Sequence, residues 1–68
     1  MDPQAAFDYA EIIGKPFPAG EAAIAKIPRL ACEYARRVLG GPFPAGELAI
    51  RQDEKAWADY EARFPPGG

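Results

Sequence analysis

The chain has 68 residues, a formal net charge of −2, one cysteine and no histidine. A chain of this length forms at most one domain and buries only about 60% of the surface that its unfolded form exposes. One cysteine without histidine excludes an intrachain disulfide and a four-ligand zinc site of the usual kind. With 49% hydrophobic and 26% charged residues, the composition is typical of a folded domain rather than a disordered tail. We expect no cofactor.

The location of the protein follows from what its sequence lacks. No apolar run approaches the ~20 residues of a transmembrane helix. The N-terminal stretch MDPQAAFDYAE has neither the basic nor the apolar region of a secretory signal. The unpaired cysteine fits a reducing compartment. We therefore expect a cytoplasmic protein without a membrane association.

The first predicted helix covers residues 3–13. Asp2 is a favourable N-cap, and Pro3 is tolerated at the first helical position, where an N–H has no intrahelical partner. Gly14 is expected to end the helix in the left-handed conformation. Three- and four-residue spacing places four side chains on one helix face, namely Ala6, Tyr9, Ala10 and Ile13.

A Pro/Gly-rich corner follows in residues 14–24, GKPFPAGEAAI. Pro16 forces the preceding residue out of helical geometry. Phe17, flanked by prolines, is predicted to be an aromatic plug between neighbouring helices. Glu21 opens a short second helix over residues 19–26, because a carboxylate in the first turn faces unpaired N–H groups and the positive end of the helix dipole. Ile24 is expected to point inward.

The same phrase returns 26 residues later as GGPFPAGELAI, with nine of eleven positions identical. The remaining predicted helices cover residues 28–39, 45–52 and 54–63. Their inward faces are predicted to carry Ala31, Tyr34, Ala35, Val38, Ile50, Trp57, Tyr60 and Phe64, with Phe43 as the second plug. The segment EYARRVLG in the second unit has one residue more than DYAEIIG in the first. The chain ends in FPPGG, which predicts a third, shortened corner that stops the array or belongs to a longer one.

Such self-similarity indicates a helical repeat array. We predict an all-α fold of about 2.5 repeats joined by PFPAGE corners. The single domain, residues 1–68, would comprise units at about 2–26, 27–52 and 53–68.

The central unit, IPRLACEYARRVLGGPFPAGELAI, resembles a short tandem helical repeat of bacteriophage, giant-virus and bacterial proteins. The typical repeat is D-P-x-x-A-x-x-Y-A-x-x-V-[IL]-x-G-x-[FW]-P-x-[GA]-E-x-x-I. The matching residues are Pro28, Ala31, Tyr34, Ala35, Val38, Leu39, Phe43, Pro44, Gly46, Glu47 and Ile50. Ile27 replaces the usual Asp, Pro42 stands where a basic residue is commoner, and Glu54 replaces Pro in the last unit. The resemblance implies a stack of helical units and a phage or bacterial origin, but it implies no reaction.

The three tyrosines, Tyr9, Tyr34 and Tyr60, recur at one position of the repeat. They could form a row of phenols that binds a ligand. The favoured interpretation is a shared core position whose hydroxyl reaches a backbone carbonyl in the next corner.

Glu21 and Glu47 could be paired carboxylates for acid–base work, but no nucleophile or metal site accompanies them. Their role as helix-starting residues is therefore favoured.

Two further features suggest chemistry at first sight. Cys32 could be a nucleophile or a redox switch. Without a histidine, and beside Glu33, its thiol has nothing that would lower its pKa, so a half-buried helical position is favoured. Lys26, Arg29, Arg36 and Arg37 form the main basic cluster, which suggests DNA binding. Glu33 lies at helical distance from two of these arginines, and the chain as a whole is acidic. Both observations argue against DNA binding.

Trp57 occupies the repeat position held by Ala6 and Ala31. It either fills a larger gap at the end of the array or anchors another protein, since tryptophan and arginine dominate interface hot spots. The candidate partner-binding residues are Trp57, Asp53, Asp59, Arg63 and Arg36.

These features favour a non-catalytic protein–protein interaction module, because no convergent set of catalytic groups accompanies them. Its first version is a small phage- or bacterium-encoded binder or inhibitor of a host protein, such as a defence nuclease. The alternatives are a structural repeat unit that assembles with itself, including as a homodimer, and a small DNA-binding regulator.

Overall fold

The computed structural model describes residues 1–65, and these form helices without a strand. The helical segments in chain order are α1 (Pro3–Ile13), α2 (Pro18–Ile24), α3 (Pro28–Glu33), a π-helical segment (Tyr34–Leu39) that continues α3, a 3-10 turn (Pro44–Gly46), α4 (Glu47–Arg51) and α5 (Glu54–Arg63). The predicted all-α fold is confirmed, and the predicted helix ends differ from these by at most two residues. The predicted third corner extends into residues outside the described range.

The helix ends follow the local sequence. The Asp2 carboxylate accepts a hydrogen bond from the Ala5 N–H at 3.2 Å, and the Asp53 carboxylate accepts one from the Ala56 N–H at 3.1 Å. At their C-termini, α1 and the π-helical segment are followed by Gly14 and Gly40, at φ values of 69° and 65°. Both glycines therefore adopt the left-handed conformation that a side chain would oppose.

The π-helical segment accommodates the extra residue of the central unit. In the first unit the Gly14 N–H donates to the carbonyl of Ala10, four residues earlier. In the central unit the Gly40 N–H donates to the carbonyl of Ala35, five residues earlier. A π-helical turn carries one more residue than an α-helical turn. Both units therefore end in a left-handed glycine followed by a PFPAGE corner, despite their different lengths.

The core is built from the repeated positions. Its buried apolar residues are Ala6, Phe7, Ala10, Ile24, Leu30, Ala31, Tyr34, Ala35, Phe43, Ile50, Ala56 and Tyr60. Phe17, Val38, Trp57 and Phe64 pack against this core while partly exposed. Tyr9, predicted to face inward, is instead 50% exposed. Phe7 is absent from the predicted apolar face but is buried next to Ala6, because the inner face of α1 is rotated toward Phe7 and away from Tyr9.

Candidate protein-interaction surface

In the second and third units, one tyrosine contacts the corner of the preceding unit. We name residues 16–21 corner 1 and residues 42–47 corner 2. The Tyr34 hydroxyl accepts a hydrogen bond from the Phe17 N–H at 2.9 Å and donates one to the Glu21 carboxylate at 2.7 Å. The Tyr60 hydroxyl does the same in corner 2, accepting from the Phe43 N–H at 2.9 Å and donating to Glu47 at 2.7 Å.

These contacts correct one detail of the sequence prediction. A tyrosine hydroxyl was expected to reach a backbone carbonyl in the following corner. Instead, each hydroxyl meets an amide and a carboxylate in the preceding corner. Phe17 and Phe43 each precede a proline, and their N–H groups have no partner within a helix. Each N–H needs an acceptor, which the tyrosine hydroxyl provides. The glutamates lie in the first turns of α2 and α4, as predicted, and also fix the tyrosine of the next unit.

The buried phenols remain neutral donors. The pKa of Tyr34 is raised to about 12, mainly by burial and to a smaller extent by the hydrogen bond to Glu21. Burial and the hydrogen bond to Glu47 raise the pKa of Tyr60 to about 12 in the same way. A protonated phenol that donates to a carboxylate makes a charge-assisted hydrogen bond, which is stronger than a neutral one. Each unit boundary is therefore closed by one strong polar contact inside an apolar surround.

The shape of each corner depends on a glycine. A Cβ atom at Gly46 would lie 2.7 Å from the Phe43 ring and 2.8 Å from the Ala31 Cβ. At Gly20 it would lie 2.7 Å from the Phe17 ring and 2.9 Å from the Ala6 Cβ. Each glycine therefore lies directly against the phenylalanine ring of its own corner and against an alanine of the long helix of the same unit.

Tyr9 has the same local surroundings, but within residues 1–65 no corner contacts its hydroxyl. Its ring packs against Phe17 with 4.8 Å between centroids, as Tyr34 packs against Phe43 with 5.0 Å. Within residues 1–65, the two hydroxyl contacts of Tyr34 and Tyr60 have no counterpart at Tyr9. An apolar hollow of about 320 Å³ lies beside its ring, and we name its lining the Tyr9 surface: Met1, Ala5, Ala6, Tyr9 and Phe17.

The predicted partner-binding residues lie on two different parts of the molecule. Trp57 is half-buried, stacks on Tyr60 with 5.5 Å between centroids, and has the Arg51 guanidinium 5.0 Å from its ring centre. It borders a groove of about 330 Å³ with Pro42 and Phe64 among the other lining residues. Its role as an anchor for another protein stays a prediction.

The four charged members of the predicted set lie around Cys32 instead. Asp53 and Asp59 line a second groove, of about 270 Å³, together with Cys32, and Asp53 also caps α5. Burial raises the pKa of the Cys32 thiol, and the charges of Asp59 and Glu33 raise it further. The charges of Arg36 and Arg63 act on the same thiol in the opposite direction. Cys32 is thus half-buried, as predicted, and its surroundings disfavour the reactive thiolate.

Two of the four residues of the basic cluster form ion pairs with carboxylates. Arg36 forms an ion pair with Glu33. Arg37 lies 3.2 Å from the Glu11 carboxylate and 3.4 Å from that of Glu33. Only the Arg37–Glu11 pair connects the π-helical segment to α1, and the two pairs with Glu33 lie along one continuous helix. All three involve exposed arginines, so each contributes little to stability. They remove two of the arginines that would otherwise be available to a phosphate backbone.

The Tyr9 surface is not among the predicted partner-binding residues. Its signal was present in the spacing: the tyrosine follows the corner phenylalanine by 17 residues and the corner glutamate by 13 in both closed contacts. The same spacing pairs Tyr34 with corner 1 and Tyr60 with corner 2, and it pairs Tyr9 with neither corner. Spacing alone could therefore have distinguished Tyr9 from the two tyrosines that contact corners 1 and 2.

Comparisons with protein-family models, with curated proteins and with solved structures give no match. Within residues 1–65, no three His, Cys, Asp or Glu side chains are grouped so that they could hold a metal ion. No helix in the same range combines the length and the apolar character needed to cross a bilayer.

Proposed function

We propose that this chain is a non-catalytic protein-interaction module that binds through the Tyr9 surface. One observation carries the proposal: the Tyr34–Phe43 pair of the central unit is buried, whereas within residues 1–65 the equivalent Tyr9–Phe17 pair of the first unit is left partly exposed. Tyr9 is 50% exposed and Met1 beside it is 73% exposed. An apolar hollow next to a phenol combines the two properties that make aromatic residues effective at interfaces, a large apolar area and a polar tip.

The sequence favours one version of this function. In that version the chain is a phage- or bacterium-encoded protein that works in the host cytoplasm and inhibits a host protein, such as a defence nuclease. Its support is the resemblance of the central unit and the small size of the chain. A structural repeat unit that associates with other units is the second version. The DNA-binding alternative gains no support from Arg36 and Arg37, because acidic residues already pair with both.

The test is retention of partner proteins on the immobilised chain, compared between matched variants. Tyr9→Glu places a charge on the Tyr9 surface. Leu48→Glu makes a similar change at a residue on α4 that is 76% exposed and lies outside that surface. Because both sites are exposed, both variants should fold, which circular dichroism verifies. We expect a protein retained by the original chain and by Leu48→Glu to be lost with Tyr9→Glu.

Two results would contradict the proposal. The first is retention of the same protein by Tyr9→Glu and its loss with Trp57→Ala, which would move the binding surface to the Trp57 groove. The second is a light-scattering mass of a monomer at every concentration together with no retained protein, which would leave the chain without a partner.

A further inference from the structure

The two closed unit boundaries define what covers a tyrosine of this repeat. In each case the cover is a Pro-Phe-Pro-x-Gly-Glu corner followed by a short helix. The corner supplies one free amide, one carboxylate and an apolar surround. Tyr34 and Tyr60 obtain all three from corners 1 and 2. Tyr9 is the remaining tyrosine of the series.

The Tyr9 surface already has the geometry of a closed boundary. The Tyr9 and Phe17 rings are inclined at 60°, and the Tyr34 and Phe43 rings at 57°. Ala6 packs on Gly20 as Ala31 packs on Gly46. An incoming corner would therefore meet a preorganised surface, and preorganisation reduces the entropy lost on binding.

We propose that the Tyr9 surface binds a Pro-Phe-Pro-x-Gly-Glu corner of a further repeat unit. The Tyr9 hydroxyl accepts a hydrogen bond from the amide of the incoming phenylalanine and donates one to the incoming glutamate. The proposal rests on the second version of the proposed function, a repeat unit that associates with other units, and it names the chemistry of the partner. In repeat proteins each unit contacts its neighbours through such recurring interfaces.

A second copy of this chain does not supply that corner. Corners 1 and 2 are occupied by Tyr34 and Tyr60 of their own chain. At the third FP position, the Phe64 N–H donates to the Tyr60 carbonyl at 2.8 Å, so it is not free for a hydroxyl. The position four residues after Phe64 is Gly68 rather than glutamate. The occupant is therefore a unit with a vacant, glutamate-containing corner.

The test supplies such a corner directly. In an extended chain, a copy of residues 14–26 follows the initiator methionine and is joined to Asp2. This fusion repeats the spacing of 17 and 13 residues found at the closed boundaries, because Asp2-Pro3 aligns with Ile27-Pro28. A control extension of equal length carries serine in place of the added phenylalanine and glutamate. Thermal unfolding and amide hydrogen exchange are measured for both chains.

We expect the extended chain to unfold at a higher temperature than the control and to protect the amide of the added phenylalanine. Tyr9→Phe should lower the midpoint of the extended chain by about 4–8 °C, because it removes one hydroxyl with two partners. In the original chain the same substitution should change the midpoint by less than about 2 °C, because the hydroxyl there has no partner among residues 1–65.

Equal effects of Tyr9→Phe in the two chains, or free exchange of the added amide, would overturn the proposal. So would a dimer of the original chain that Tyr9→Phe abolishes, because a second copy would then be the occupant. If the extension fails, the retention experiment with Tyr9→Glu and Leu48→Glu is unaffected. If instead a retained protein stays bound to Tyr9→Glu, the proposed function is rejected whatever the extension shows. The two failures are thus distinguishable.

Discussion

The first and central units carry the same aromatic pair in two environments. Tyr34 is 0% exposed and Phe43 is 3% exposed, whereas Tyr9 is 50% exposed and Phe17 is half-buried. The ring distances of the two pairs differ by only 0.2 Å, at 5.0 and 4.8 Å. Position in the stack, rather than local sequence, therefore decides whether a pair belongs to the core.

This difference separates two roles that one motif can have. A pair covered by a preceding corner stabilises the fold, and an uncovered pair is available to a partner. Equivalent substitutions in the two units should consequently have unequal effects on the free energy of unfolding. The following predictions use that inequality, beginning with the largest effect.

Phe43→Ala should be the most damaging of these substitutions. Removing a buried phenylalanine from a core costs about 3–5 kcal/mol, which is comparable to the whole stability expected for a chain of this size, ~0.1 kcal/mol per residue. Phe17→Ala should cost about half as much because part of its ring already contacts water. Urea denaturation followed by circular dichroism measures both. Equal costs would show that the first corner is as buried in solution as the second.

Gly46→Ala should come next, at about 1–3 kcal/mol, because overpacking forces neighbours to shift. The new methyl group would meet the Phe43 ring at 2.7 Å, and that ring is buried, so it cannot turn toward solvent. Gly20→Ala should cost less, since the Phe17 ring can turn toward solvent. Gly41→Ala is the matched control, because a Cβ there meets nothing within 4 Å. A neutral Gly46→Ala would contradict the packing of the corner.

The sequence contained enough information to predict the helices. Capping residues, glycines after helix ends and prolines in the corners act locally, so helix ends could be predicted to within two residues. The π-helical segment could not be predicted in the same way. An extra residue between Tyr34 and Gly40 can be accommodated in three ways: it can loop out, shift the helix register or widen a helical turn. Only the packing of both helix ends selects the widened turn.

The candidate site was less predictable because it depends on which units are neighbours. Spacing along one helix placed Tyr9 and Tyr34 on equivalent faces, but it did not show that each hydroxyl reaches backward to an earlier corner. The five predicted partner-binding residues were chosen by type and proximity in sequence. Folding directs Trp57 toward Tyr60 and Arg51, and places the Asp59 charge near Cys32.

Tyr60→Phe tests the polar contact at a closed boundary. The substitution keeps the ring and removes the hydroxyl, so the Phe43 amide and the Glu47 carboxylate lose a partner. We expect a loss of about 1–2 kcal/mol for Tyr60→Phe and for Tyr34→Phe. Tyr9→Phe should change the free energy of unfolding by less than about 0.5 kcal/mol. Chemical denaturation of the three variants under one condition provides the comparison, and three similar losses would contradict it.

The smallest effect concerns pH and isolates the phenolic protons of the buried tyrosines. Their pKa is raised from the ordinary 10 to about 12 in the folded chain, so the folded state retains these protons when the unfolded state has released them. This contribution to stability is complete below pH 10 and is lost as the pH rises toward 12. At pH 10.5 the contribution of each phenol to the free energy of unfolding should already be smaller by about 1 kcal/mol.

Urea midpoints of the original chain and of Tyr60→Phe, measured from pH 8 to pH 11, test this prediction. All other titratable groups are common to both chains, so the difference between the two slopes reports Tyr60 alone. We expect the variant to lose less stability per pH unit above pH 10, although it is less stable at pH 8. Parallel slopes would mean that the Tyr60 hydroxyl is exposed to solvent, as Tyr9 is, and that the closed boundary is not closed.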